Sequence, residues 1–314
     1  MTQVGLEPDA RPDAPPRRST TSGRQRRFGQ LWRFGQRWRF GRLALHLALG
    51  VITFIWLLPT VALLVSSFRP SSETGTTGWW TAFQLPFQFT LENYDSVLSQ
   101  QNMGQSFLNS LLIAIPATVI PIMVAAFAAY AFAWMEFPGR NALFIVVVGL
   151  LVVPLQAALI PVLQLTTDVG ITGSFLAIWL AHTGFGLPFA IFLLRNFFGA
   201  LPKEMFEAAY IDGASPTTAF FRLALPLSVP AIASLVIFQF MFVWNDLLVA
   251  LILLGGTPDV APMTVTIANL VNSLGQGWHL LTAAAFLSMI LPLVVFFALQ
   301  RYFVRGILGG SVKG

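Results

Sequence analysis

No cysteine occurs in the 314 residues, so a disulfide framework, a thiolate nucleophile and a Cys-ligated metal site are all excluded. Histidine is nearly as scarce. His46, His182 and His279 sit in separate segments without paired ligand spacing, which speaks against a metal site and for interfacial or pore-facing side chains. Charged residues make up 10% of the chain against 56% hydrophobic, where a soluble domain carries about 25% charged. Such a chain belongs in a bilayer. There is no Gly-x-x-x-x-Gly-Lys-Ser/Thr phosphate loop, and no glycine is followed by lysine anywhere, so this chain is expected not to hydrolyse ATP. Ionisable residues deep in apolar runs, the usual mark of a proton-driven carrier, are reduced to Asp246, Arg195 and His182. The residues for catalysis and for self-powered transport are both missing, so the energy is expected to come from elsewhere.

What is present is apolar sequence in long runs. Six segments are expected to cross a membrane as helices: Leu43 to Phe68, Phe107 to Trp134, Ala142 to Leu165, Ser174 to Phe198, Leu227 to Leu254 and Leu280 to Val304. Each exceeds the roughly 20 residues that span a hydrocarbon core of about 30 Å. Leu43 to Phe68 is too long for a signal-peptide core and ends in a poor cleavage site, so it is expected to remain as an anchor. The fold class is therefore all-α and polytopic, with both termini on one side. Of the eighteen Lys and Arg residues, ten lie at or before Arg42. Arg140, Lys203, Arg222, Arg301, Arg305 and Lys313 fall on the same face, whereas the opposite face receives Arg69 with Glu73, Glu92, Asp95, Asp168 and Asp259. Positive residues stay inside, so both termini and the loop between the fourth and fifth spans are expected to be cytoplasmic.

Residues 1–42 are expected to form a disordered basic and aromatic tail. The first part is rich in Pro, Ser, Thr and Arg with almost nothing to bury. From Arg27 onward arginines alternate with Phe and Trp in an approximate six-residue repeat. That pattern, together with the net charge of +5, suits the phosphates of membrane lipids better than nucleic acid. Residues 305–314 read as a short cytoplasmic C-terminal tail. The segment from Arg69 to Ser106 offers Trp79, Trp80, Phe83 and Phe87 as interface anchors, and Thr90-Leu91-Glu92-Asn93 as a capped helix start. Pro116, Pro121, Pro154, Pro161, Pro188 and Pro292 fall within spans; membrane helices tolerate proline generally, so none is given a gating role.

One polar loop, residues 199–226, stands out between the fourth and fifth spans. Pro202 suits a helix start and Gly213 the left-handed position past a helix end, so a short helix is expected from about Pro202 to Asp212. Ser215 and Pro216 signal the N-cap and first turn of a second helix carrying Phe220, Phe221 and Leu223 toward Pro226. Ala208 and Ala209 let the first helix lie close in a partner's cleft, and Glu207 and Asp212 offer charges that set its register. Asn245 and Asp246, in the fifth span, carry two readings: part of the translocation path or its outer gate, or structural hydrogen bonding to a neighbouring helix or a water-filled cavity. Arg195, near the cytoplasmic end of span four, reads as structural.

These residues resemble the inner-membrane permease subunits of ATP-binding-cassette importers, in particular the sugar-importing branch related to the second permease of the maltose system. Glu207-Ala208-Ala209 with Asp212-Gly213-Ala214 is similar to that family's coupling motif. Further likenesses are Asn109-Ser110-Leu111, Ala128-Ala129-Tyr130-Ala131-Phe132, Trp244-Asn245 and Gln300 to Gly306 with Val312-Lys313-Gly314. The resemblance implies a permease domain over residues 43–304 with a cytoplasmic coupling helix between helices 4 and 5. It also implies a heteromeric importer in a bacterial or archaeal cytoplasmic membrane. Its partners would be a second permease, an ATPase dimer that binds ATP and Mg, and an extracytoplasmic sugar-binding protein. Glu207, Ala208, Ala209, Asp212 and Gly213 would make the ATPase contact, and no cofactor would be held by this chain. An importer of a non-sugar solute and a stand-alone carrier are the alternatives.

Overall fold

The computed structural model describes residues 22–270 and 277–311, with side chains for 42–270 and 277–301. Contacts divide the chain into two units, Met1–Val61 and Ala62–Gly314. The first holds most of α1, Ser22–Ser67. Residues 22–42, expected as part of a disordered tail, are helical. Arg, Gln, Leu, Trp and Phe all tolerate a helix, and no proline precedes Pro59 within it, so the hydrogen-bond ladder of the span continues backwards. Residues 1–21 lie outside the described residues. From Leu43 to Leu58 the large apolar side chains are exposed, as a lipid-facing helix requires.

In the second unit every described element is helical. α2 (Ser71–Thr74), α3 (Glu92–Gln100) and α4 (Met103–Trp134) are followed by α5 (Arg140–Gly149), α6 (Leu155–Asp168) and α7 (Phe175–Gly199). Then come α8 (Lys203–Ile211), α9 (Pro216–Ala219), α10 (Leu225–Leu227), α11 (Val229–Trp244), α12 (Leu248–Leu254), α13 (Met263–Ala268) and α14 (Trp278–Ser311). α14 continues through most of the expected C-terminal tail.

Among the described residues four helices are long and apolar enough to cross a membrane: Arg42–Ser67, Met103–Trp134, Phe175–Gly199 and Trp278–Arg301. The third and fifth expected spans are broken instead. Arg140–Val152 and Leu155–Asp168 meet at 104°. Pro154 has no N–H and forces Val153 into an extended conformation, φ −70° and ψ 118°, so no helix passes through. Pro216–Leu227 and Val229–Trp244 meet at 73°. The fifth span is interrupted again at Asn245 to Leu247, which separates α11 from α12.

α4 and α7 pack along their lengths, α11 lies against α4, and α14 against α11. The buried face of α4 runs Ser110, Ile113, Ala114, Ala117, Thr118, Pro121, Ile122, Ala125, Ala126 and Ala129, a helical repeat dominated by small side chains. Facing it, α7 buries Ala177, Ala181, Gly186 and Ala190. Lipid tails offer no hydrophobic gain over protein, so close backbone approach and dispersion hold these helices together. The core forms two clusters at opposite ends of α4. One surrounds Trp244, Val249 and Met263, the other Tyr130, Phe198, Phe206 and Phe220.

The prolines contribute acceptors to this packing. Each leaves the carbonyl four residues earlier without its helical donor. Pro116 frees the Leu112 carbonyl, which accepts from Trp179 Nε1 of α7 at 2.9 Å. Pro121 frees that of Ala117, which accepts from Gln239 Nε2 of α11 at 3.1 Å. Pro292 frees that of Ser288 on α14, which accepts from Trp244 Nε1 of α11 at 3.1 Å. Such bonds contribute about 0.6–2 kcal/mol each inside a bilayer. They also fix rotation: Gln239 reaches Ala117 through a gap at Gly186, where a Cβ would stand 2.6 Å from Gln239 Oε1.

Candidate functional site

Residues 199–226 fold as a helix, a tight turn and a second helix at one end of the bundle. Pro202 is the N-cap of α8, with Glu204 in the first turn where the helix dipole favours a carboxylate. The other end closes by backbone bonds alone. Gly213 takes φ +83°; its N–H donates to the Tyr210 carbonyl at 3.1 Å and that of Ala214 to the Ala209 carbonyl at 2.9 Å. This is the paired closure that a left-handed glycine allows. Ser215 Oγ accepts from the Thr218 N–H at 3.2 Å, with Pro216 in the first turn of α9. A π turn, Phe220–Ala224, leads on to α10.

α8 is fastened by aromatic side chains. Phe206 is its single buried residue and stacks on Trp134 of α4, ring centroids 3.9 Å apart. Trp134 Nε1 donates to the Phe198 carbonyl of α7 at 3.1 Å. Tyr130 OH donates to the Pro216 carbonyl at 3.1 Å and lies 3.2 Å from Tyr210 OH. The ring of Phe220 packs against Tyr130, centroids 5.2 Å apart. The helix-turn-helix is thus clamped to the ends of α4 and α7. Sequence reading singled out neither Phe206 nor Trp134. The available signal was the spacing of Phe206 and Tyr210, one helical turn apart on one face.

The other face of α8 is open. Glu207, Ala208, Asp212 and Gly213 are exposed, and Ala209 is half-buried. Ile211 is 86% exposed, one turn from Glu207 and Ala208. Among the described residues neither Glu207 nor Asp212 forms an ion pair. The loop therefore presents a small, unpaired, partly apolar ridge on a rigid base.

Asn245 and Asp246 lie some way off, in the break between α11 and α12. Asn245 Nδ2 donates to the Met241 carbonyl at 2.8 Å, capping the end of α11. Asp246 starts α12: its Oδ1 accepts from the Val249 N–H at 3.2 Å and its Oδ2 from that of Ala250 at 2.9 Å. Thr264 Oγ1 donates to the Asp246 carbonyl at 2.6 Å. His182 of α7, fully buried, places Nε2 3.6 Å from Asp246 Oδ2. The structure thus joins two intramembrane groups that were read separately. An apolar groove of about 590 Å³ between α6 and α7 is edged by Phe242, and neither Asn245 nor Asp246 lines it. Arg195 lays its guanidinium over the Phe144 ring at 4.8 Å. No cluster of three or more His, Asp or Glu side chains forms among the described residues.

The family model described as "binding-protein-dependent transport system inner membrane component" matches residues 119–309. This chain belongs to that family. Members are membrane components of transport systems, and the matched stretch includes the α8 ridge and the α11–α12 break. The chain is 62% identical to the osmoprotective compounds uptake permease protein GgtD of Synechocystis over 87% of this chain and 92% of that one. It is 56% identical to the alpha-glucoside transport system permease protein AglG of Rhizobium meliloti, over 80% of this chain and 67% of that one. In fold it is similar to a chain in the crystal structure of a bacterial ABC transporter involved in the import of the acidic polysaccharide alginate. That likeness has a TM-score of 0.72 at 21% identity, covering 84% of this chain and 97% of the other. The all-α inner-membrane architecture expected of the sequence is thereby established.

Proposed function

We propose that this chain is the permease subunit of an ATP-driven sugar importer, forming half of the translocation path and taking its energy from a separate ATPase through α8. The observation that carries the coupling role is the α8 ridge: Glu207, Ala208 and Ile211 face outward while Phe206 anchors the same helix to the span ends. A helix fixed on one face and open on the other transmits displacement of a docked partner to α4 and α7. The excess of positive residues on their face supports a cytoplasmic position for α8 and both termini, where an ATPase dimer binding ATP and Mg would meet α8. Closure of that dimer would draw α8 toward its counterpart in a second permease. A switch of this kind needs contacts that differ between the two states. An extracytoplasmic binding protein would deliver solute at the opposite end, in a bacterial or archaeal cytoplasmic membrane.

The sugar assignment is supported by AglG, named for alpha-glucoside transport, and an α-glucoside or a disaccharide is the cargo that resemblance suggests. GgtD, named for osmoprotective compounds, supports a second reading in which the cargo is a non-sugar osmolyte. Uptake of labelled solutes by the reconstituted complex separates the two. The coupling role is tested by Glu207→Lys and by Gly213→Val. Both variants are expected to insert normally and lose ATP-driven uptake; normal transport by both refutes the docking role. Copurification of a stoichiometric ATPase subunit distinguishes the importer from a lone carrier.

A further inference from the structure

Between α2 and α3 the chain runs through a segment unlike the rest of the bundle's aqueous ends. From Thr74 through Leu91 no residue is charged, and Glu73 and Glu92 stand at its two edges. Within it Trp80, Phe83, Leu85, Phe87, Phe89 and Leu91 are exposed, Leu85 to 82%. The packing inside the segment is local: the rings of Phe83 and Phe89 meet edge to face at 6.0 Å, and those of Trp79 and Trp80 likewise. Such a dense set of apolar side chains, rimmed by charge, demands a cover.

The ends of the segment fix its depth. The Thr90 N–H donates to the Phe68 carbonyl at 2.6 Å, immediately past the last residue of α1. Asn93 Nδ2 donates to the Ser67 carbonyl at 2.9 Å and to that of Arg69 at 2.8 Å. Ser67 Oγ lies 2.7 Å from Tyr94 OH. The near end is tied by Arg69, 1% exposed, whose guanidinium donates to the carbonyls of Glu73 and Thr77 and to the hydroxyls of Thr77 and Thr81. Both ends are therefore pinned beside Ser67, Phe68 and Arg69, at the C-terminal end of the apolar helix α1.

We propose that residues 79–91 form a membrane-surface strap, lying among the lipids of the leaflet opposite α8, with the aromatic rings at headgroup level and Leu85, Phe87 and Leu91 in the upper acyl region. Three observations favour lipid over a protein partner. The run is continuous in sequence with the exposed apolar end of α1, its two ends are tied to Ser67–Arg69 at the close of that apolar helix, and its lack of charge removes what a soluble partner would use for register. Trp and Phe in such a belt rest stably between water and hydrocarbon. The strap would hold that end of the bundle at a fixed height while the polar ends of α3 and α13 remain in water.

The absence of cysteine makes the test direct. Single cysteines are introduced at Leu85, Phe87 and Leu91, and at exposed Thr76 as the aqueous reference. Each is nitroxide-labelled in the native multisubunit assembly, reconstituted in phosphatidylethanolamine/phosphatidylglycerol vesicles. Power saturation then compares relaxation by oxygen and by a water-soluble nickel chelate, with spin-labelled phospholipids as the depth scale. The strap predicts that oxygen relaxes labels at 85, 87 and 91 several-fold more effectively than nickel, at the depth of the upper acyl carbons. Dominant relaxation by nickel, as at Thr76, would show an aqueous loop. Weak relaxation by both would show a covering protein. Either result overturns the proposal, and uptake by each labelled variant confirms that the fold is kept.

Discussion

Truncating Phe206 to alanine separates the anchoring of α8 from its outward chemistry, because the ring points away from the Glu207 and Ile211 face. Phe206 is the only buried side chain of that helix, and its ring lies flat on Trp134 at 3.9 Å. Deleting a buried phenylalanine costs about 3–5 kcal/mol. A nine-residue helix is too short to persist without packing. The remaining ties, through the Tyr130 hydroxyl, contribute about 0.5–1.5 kcal/mol each, so the lost ring outweighs them. At about 1.4 kcal/mol per decade, the ratio of docked to undocked α8 falls by about 10² to 4 × 10³. The assay measures ATP hydrolysis and solute uptake in parallel on the reconstituted complex. Phe206→Ala is expected to reach the membrane at normal levels and to lose at least most of its uptake per ATP hydrolysed. Phe206→Met, which keeps apolar volume, should cost under about 1.5 kcal/mol and retain coupling. Wild-type uptake per ATP in Phe206→Ala would show that α8 does not act through its seat on α4, and the lever argument would fall.

Three further outcomes follow from particular contacts. Gly186→Ala puts a Cβ 2.6 Å from Gln239 Oε1 and should cost about 1–3 kcal/mol; adding Gln239→Ala should recover part of the loss in thermal unfolding, since the two residues share one gap. Asp246→Ala removes both side-chain acceptors at the start of α12 and should cost about 0.5–2 kcal/mol. Asp246→Asn keeps one of the two acceptors and sets an N–H donor where the other stood, so it should cost less than Asp246→Ala and still transport. Loss of uptake by Asp246→Asn at unchanged melting temperature would instead put the carboxylate in the path. Tyr130→Phe deletes the bond to the Pro216 carbonyl and should lower thermal stability by about 0.5–1.5 kcal/mol, with α8 still seated by Phe206.

The parts legible in the sequence were those fixed by local rules. Apolar length marked the four unbroken spans among the described residues, while Pro202 and Gly213 marked the ends of α8 to within a residue and Ser215 and Pro216 the start of α9. The broken spans were not legible because composition is blind to direction. Ala142 to Leu165 carries no charge, and only the backbone shows that Val153 is extended and turns the chain by 104°. The prolines were read one helix at a time, as local tolerances. Their carbonyl partners, Trp179, Gln239 and Trp244, lie on other helices, and single-sequence reasoning has no access to that pairing. Asp246 followed the same logic: its cap on Val249 and Ala250 was local and within reach, while His182 arrives from α7 across many intervening residues.

These contacts bear on how a push at one end would travel. α4 and α7 share a face of small side chains with few soft groups between them, so they move as one body. The seat of α8 rests on both, through Trp134 on one and the Phe198 carbonyl on the other. α11 is tied into the same body by Gln239 and to α14 by Trp244. The backbone departs from straight helix at Ser228, where two helices meet at 73°, and at Asn245 to Leu247. Coupling needs an element with two arrangements. In this chain the two breaks on either side of α11 are the interruptions in the described chain between α10 and α12, and so are where such an element would have to lie. Under the proposed coupling role, a displacement delivered to Glu207 and Ile211 would reach α4 and α7 first through Trp134, and Gln239 would pass it on to α11, whose far end adjoins the Asp246 cap of α12 beside His182 of α7.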